Sequence, residues 1–272
     1  MRILGVLIAI VPGLLAVAWI GLQIQPKSFA GYPGETPALK TIPVPAGLPA
    51  PVERFYRTIY GEQIPVIQTV LIKGRAVIRP VMNIPLPARF IFVHETGTNY
   101  RHYIEASLFG MPFMKVNEGY IDGKSFFEAP VGTYYDDPNT NEGANLALWA
   151  EAVWFPSIWV TDGRARWEPV DDTTAILFVP FGDKSEDFVV RFDPSTNLLV
   201  SMEAMRYRDP GEGQPKILWI TRNEPGGFVA GTKLNAVGSA TWLDQGRPWA
   251  VFRLEELKYN VDVSQYIRAR GQ

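Results

Sequence analysis

The sequence predicts a mainly β protein with few helices (α+β): an N-terminal transmembrane helix, then a strongly curved antiparallel sheet, a half-open β-barrel, covered by helices. Three observations predict it. An uncharged apolar run heads the chain. Beyond residue 65 a long series of β-rich segments alternates with Gly, Pro, Asn and Asp turns. Only two stretches after the apolar run repeat their apolar residues at helical spacing. Many strands joined by tight turns, with helices few and early, bend a sheet upon itself, and the two helices are the available cover for its inner face.

The apolar run, Ile3 to Leu22, reads ILGVLIAIVPGLLAVAWIGL. About twenty helical residues rise roughly 30 Å, the thickness of a hydrocarbon core. Pro12 and Gly13 are tolerated in such a helix, and Trp19 suits the interface. Only Arg2 and the terminal amine precede the run, which places the N-terminus in the cytoplasm and the main domain outside the cell membrane as a single-pass protein; Lys27 votes weakly the other way. Ala16-Val17-Ala18 also fits a signal-peptide cleavage pattern, but the run continues to Leu22, which favours a retained anchor. Residues 1–24 are therefore expected to be the anchor (or signal peptide), 25–50 a Pro-rich linker, and 51–272 the barrel domain. Pro26, Pro33, Pro37, Pro43, Pro45 and Pro49 make the linker extended, as a spacer or as an arm laid on the domain through Ile42 and Val44.

Val52, Phe55, Tyr56 and Ile59 predict a short helix ending at Gly61. Strands are expected over Val66–Ile78, Arg89–Glu95, Tyr100–Leu108 and Phe113–Ile121, with Asp122-Gly123 turning into Lys124–Glu128. A second helix, capped by Asn139, Thr140 or Asn141, carries the stripe Leu146, Trp149, Ala150, Val153 and Trp154 and stops at Pro156. Strands then resume at Arg164–Pro169, Thr174–Val179, Phe188–Phe192, Leu198–Tyr207, Lys216–Asn223, Phe228–Asn235, Ala236–Leu243 and Ala250–Tyr259.

The composition narrows the chemistry. The net charge is −2, with Lys and Arg scattered, so no basic face is available for nucleic acid. There is no cysteine, which excludes disulfides, thiolate metal sites, a Cys nucleophile and a lipid-modified Cys. Gly119 to Ser125 approaches a phosphate-binding loop but is one residue short between its glycines and runs into a strand. Asp137, Asn139 and Asn141 open like a calcium loop, yet Glu142 and Leu148 stand where Gly and Glu belong. His94 and His102 face each other across the Gly97 hairpin, near Glu95 and Glu105. Strand alternation separates His94 from Glu95, so a structural role is expected and no metal or cofactor. Glu151 lies inside an apolar run. If buried it must be protonated or paired, with an Arg expected, as a salt bridge or as the contact for a ligand's head group.

The stretch Leu146 to Asp172, LALWAEAVWFPSIWVTDGRARWEPVDD, resembles the signature of an uncharacterised bacterial membrane-anchored family whose domain is similar to the LolA/LolB lipoprotein-carrier half-barrel. The likeness rests on Ala150 to Pro156, Arg166-Trp167-Glu168 and Asp171-Asp172, with weaker similarity at Gly110-Met111-Pro112, Tyr120 to Gly123 and Phe192-Asp193. It implies a concave face, lidded by helices, that accepts an acyl chain or other lipid, and it brings no catalytic residues. The expected function is therefore a membrane-anchored extracytoplasmic protein that binds a lipid or other hydrophobic ligand, and not an enzyme. Trp149, Val153, Trp154, Phe155, Trp159 and Trp167 are the wall candidates, with Glu151 as polar gate. The alternative is an envelope protein-interaction or sensor module with a filled barrel.

Overall fold

The computed structural model describes residues 2–130 and 132–268, with side chains from residue 12 onward. Helix α1 (Arg2–Gln23), strand β1 (Thr41–Pro43), helix α2 (Ala50–Tyr60) and strand β2 (Gln63–Pro65) come first. A run of strands then goes back and forth: β3 (Thr69–Ile78), β4 (Leu86–Glu95), β5 (Asn99–Leu108), β6 (Met111–Ile121), β7 (Lys124–Ala129) and β8 (Gly132–Tyr135). Helix α3 (Pro138–Ala150), a 3-10 turn (Glu151–Trp154) and the short helix α4 (Ile158–Thr161) carry the chain across. The second run comprises β9 (Arg166–Pro169), β10 (Thr174–Phe181), β11 (Lys184–Phe192), β12 (Leu199–Tyr207), β13 (Lys216–Asn223), β14 (Val237–Trp242) and β15 (Pro248–Tyr259), before α5 (Ser264–Ile267).

Each run zigzags outward through hairpins, and β15 joins them. The resulting antiparallel sheet has the order β8-β7-β6-β5-β4-β3-β15-β14-β13-β12-β11-β10-β9. It does not close, since β8 and β9 remain its two edges. Its curvature follows from what α3 touches. The helix contacts β7 in one run and β10 in the other. In a flat sheet ten strand spacings of ~4.8 Å would put these about 48 Å apart, whereas thirteen helical residues span only about 20 Å. The sheet must therefore wrap around α3.

Alternation along the strands fills the two faces differently. Phe90, Phe92, Tyr100, Ile104, Ala204, Trp219, Ala240 and Phe252 face inward and join α2, α3 and α4 in the main core. Ile91, Val93 and Leu71 face outward into a second cluster with Val261, Val263 and Ile267, closed by Phe29 and Tyr32. The Pro-rich segment forms that cover. Lys73 Nζ donates to Ala30 O at 2.7 Å, Tyr32 N donates to the Glu256 carboxylate, and Arg89 donates to Lys27 O. Further along, β1 pairs with β2, and Ile42 and Val44 pack on the core.

Several expectations need correction. The apolar N-terminal run is helical as α1, but among the described residues no helix is long and apolar enough to cross a membrane. The side chains of residues 2–11 lie outside the described set, so much of the span expected over 3–22 is not represented. From Leu14 to Ile20 the side chains of Leu14, Leu15, Val17, Trp19 and Ile20 are each more than half exposed. Phe228–Asn235 is not a strand. Gly231 takes φ +77° and Val229 N bonds Leu234 O, so the segment folds back as a loop held by one bridge. The cap of α3 is Asp137, whose carboxylate accepts from Asn139 N and Thr140 N, with Pro138 in the first turn. The helix ends at Ala150, so Val153 and Trp154 belong to the 3-10 turn.

Candidate functional site

β4 and β5 pair so that Phe92 lies opposite His102 and His94 opposite Tyr100. Both histidines are thus on the inner face as diagonal neighbours, their ring centroids 6.1 Å apart. His102 stacks on Phe92 at 3.8 Å, and β6 sets Glu118 directly across from it. Helix α3 delivers the fourth group. Its C-terminal residue hands over to Glu151, whose carboxylate points down between the imidazoles. A negative charge at a helix C-terminus is disfavoured by the macrodipole, so Glu151 needs cationic or donor neighbours.

His102 supplies them. Its Nε2 lies 2.7 Å from Glu151 Oε2 and its Nδ1 2.9 Å from Glu118 Oε1. His94 Nε2 is 2.9 Å from the same Glu151 Oε2, but off the line a hydrogen bond needs, and neither of its ring nitrogens has a hydrogen-bond partner. Both rings are buried, His94 at 0% and His102 at 3% exposure. Burial works against a charged His102, yet the Glu151 and Glu118 carboxylates outweigh it and raise its pKa to about 9. Burial likewise opposes charge on Glu151, and His102 and His94 outweigh it, bringing the carboxyl down to about 2. For His94 burial prevails and holds the imidazole below its ordinary value. The expected Arg partner of Glu151 is therefore replaced by two histidines.

A cavity of about 100 Å³ opens beside this cluster, between the 3-10 turn and the concave sheet. Its walls are Phe92, Trp154, Trp219, Trp249 and Phe252, with Val153 above, and Glu151, Glu118, His102, Arg206 and Arg222 at its polar side. The indole N–H groups of Trp154, Trp219 and Trp249 are buried without a hydrogen-bond partner, as is Thr221 Oγ1. Arg206 lies over the Trp219 ring at 4.3 Å and donates through Nε to Gly143 O. Burial pushes its guanidinium below the usual range.

Of the sequence-derived wall candidates, Val153 and Trp154 line the cavity, and so does Glu151. Trp149, Phe155, Trp159 and Trp167 do not. They form a core stack in which Trp159 Nε1 donates to Trp149 O and Trp167 Nε1 to Trp159 O, while Phe155 packs 4.9 Å from His94. Sequence reasoning missed Arg206, Trp219, Trp249 and Phe252, because no spacing within one segment announces walls brought together by strand order. Glu95 and Glu105, the carboxylates nearest the histidines in sequence, are engaged elsewhere. Glu105 faces outward to Arg89 and Tyr103, and Glu95 accepts from Asn99. Among the described residues, His94, His102 and Glu151 are the three donors close enough to share one metal ion, their ligand atoms all within 4.8 Å of one another.

No curated protein matches the sequence. Among solved structures the chain is similar to a LolA superfamily protein from Nitrosomonas europaea, at 11% identity and a TM-score of 0.45, over 82% of this chain and 99% of that one. It is also similar to a domain described as an outer membrane lipoprotein-sorting protein from Vibrio parahaemolyticus, at 9% identity and a TM-score of 0.39, over 72% of this chain and 88% of that one. The protein-family match is of another order, since it runs over residues 39–254, from the arm beside β1 to within β15. The chain therefore belongs to the family described as a family of unknown function, DUF6544.

Proposed function

We propose that the protein is a membrane-tethered, non-enzymatic binding protein for a lipid or other hydrophobic molecule with a polar end, working on the extracytoplasmic side. The observation that carries this reading is the cavity under the helical cover. Apolar rings wall it, the chain's own side chains leave it unfilled, and three buried indole N–H donors beside it lack acceptors. A buried donor without a partner costs about 1–3 kcal/mol, so a ligand that brings acceptor oxygens between apolar walls relieves a cost already present. Arg206 and Arg222 favour a negatively charged end group.

The cavity's size sets the mode of binding. At about 100 Å³ it is smaller than the ~300–1,000 Å³ of pockets that enclose drug-sized ligands. It takes the end of a chain, and deeper entry requires the Glu151–Trp154 turn to move outward. Each methylene buried would contribute about 0.8 kcal/mol. The tether is supported by the exposed apolar side chains of α1 and by their continuation at its exit. There Phe109 N donates to Gly21 O, and Phe109, Met111 and Phe113 are exposed on the β5–β6 hairpin.

Fatty acids brominated along the chain provide the test, since bromine quenches nearby indoles. Quenching of the intact protein's tryptophan emission, together with lipid recovered from the purified protein by mass spectrometry, supports the reading. No quenching and no lipid would refute it and favour an envelope protein-interaction module, the competing reading to which the small cavity lends weight.

A further inference from the structure

His94 is the group that hydrophobic binding leaves unexplained. Its imidazole is wholly enclosed, and neither nitrogen is hydrogen-bonded. Yet Nε2 approaches Glu151 Oε2 to 2.9 Å without the alignment of a hydrogen bond. From the neighbouring strand His102 Nε2 reaches the same oxygen at 2.7 Å. Two imidazole nitrogens and a carboxylate thus converge on a common point. The remaining nitrogen of His102 is held by Glu118 at 2.9 Å, the carboxylate–histidine arrangement that fixes a metal-binding tautomer and ring orientation.

We propose that His94, His102 and Glu151 form a binding site for one divalent metal ion of the zinc class, through the two Nε2 atoms and a Glu151 oxygen, with a further coordination position open to the cavity. Imidazole and carboxylate donors suit zinc and its first-row neighbours, whereas calcium and magnesium prefer all-oxygen shells. Three protein ligands and an open position make the pattern of a site that takes up an exogenous donor rather than one closed for structure. An ion with ~2.0–2.1 Å bonds in tetrahedral geometry holds its ligands about 3.3 Å apart, so the present contacts open by roughly half an ångström on loading. The side-chain torsions of Glu151, placed where α3 gives way to the 3-10 turn, supply that movement. Glu118 acts through His102 and is a positioning residue. The cavity meets the site at Glu151 and His102, so the ion's open position faces the same space as the indole donors.

The full chain in mild detergent is stripped with chelator and titrated with zinc by calorimetry and with cobalt(II) by visible absorption. The folded wild-type protein is expected to bind about one equivalent and to give the ligand-field bands of a low-coordinate nitrogen–oxygen site. His102→Gln and Glu151→Gln are expected to abolish both signals, and Glu118→Gln to weaken affinity about 10–100-fold with the bands retained. Less than about a tenth of an equivalent bound by the folded wild type overturns the proposal. So does full binding by a His94→Gln/His102→Gln double variant. Because the wild type carries the decisive measurement, a variant that fails to fold does not shield the idea. Lipid uptake is a separate readout.

Discussion

Replacing Glu151 with Gln removes the charge that both histidines face while keeping the shape of the side chain. In the metal-free protein, held so by chelator, His102 titrates at about 9 against an ordinary 6.5. Burial alone would lower that value, and the Glu151 and Glu118 carboxylates reverse it. At about 1.4 kcal/mol per pKa unit the gap corresponds to about 3 kcal/mol of folding stability. Because the folded pKa lies above the unfolded one, this stabilisation is fully present below pH 6.5 and is lost as the pH rises through about 9. Glu151, lowered from 4.5 to about 2, contributes stability present above pH 4.5 and lost as the pH falls toward 2. His94, held below its ordinary pKa chiefly by burial, costs stability as the pH falls below 6.5, so the window between 6.5 and 9.5 isolates His102. Denaturant unfolding of the full chain, followed by tryptophan fluorescence at both ends of that window, is the assay. The wild type is expected to lose up to about 3 kcal/mol between them, and Glu151→Gln to start less stable and show a much flatter dependence. Equal slopes for the two proteins would refute the assignment of His102 as the imidazolium held by Glu151.

Three further outcomes are expected. Asp137→Ala removes the acceptor for Asn139 N and Thr140 N at the start of α3 and should cost about 1 kcal/mol, read as a lowered thermal midpoint. Gly74→Ala should cost about 3 kcal/mol or more in denaturant unfolding, because the new Cβ would meet the Arg253 carbonyl oxygen at 2.1 Å across the β3–β15 pair and backbone cannot swing aside. Gly238→Val places its side chain against Trp154, which a Cβ there already meets at 3.1 Å, and fills the cavity; it should suppress quenching by brominated fatty acid while the far-ultraviolet circular dichroism is unchanged.

What the sequence disclosed was local. The Asp122-Gly123 turn reads directly as a two-residue hairpin, and both residues take the positive φ such a loop demands, at +52° and +81°. Helix α2 buries the expected face, Val52, Phe55 and Tyr56, and a residue in a positive-φ conformation, Gly61, follows it. Glu151 stood out as a carboxylate inside an apolar run. Its partners, His102 and His94, did not, because they lie on strands 49 and 57 residues earlier in the chain and only the pairing register brings them together. The same holds for the cavity's far wall. Trp219 and Trp249 follow no helical or alternating pattern with Trp154, and they meet it because β15 enters the sheet between β3 and β14. Asp137 was hidden behind three plausible caps, though Pro138 after it was the available signal.

The seam between β3 and β15 unites the first and last long strands of the sheet. A nascent chain can zip β3 to β8 as successive hairpins, but no strand pairing joins that half to the other until Pro248 to Tyr259 has emerged. Such distant pairing is slow, and in the interval β3 and β14 each present a bare row of amides and carbonyls. Assembly is thus governed by the last segment to appear, and a chain cut short of residue 248 would be two sticky ribbons, an immediate target for proteases that patrol for unfinished sheets.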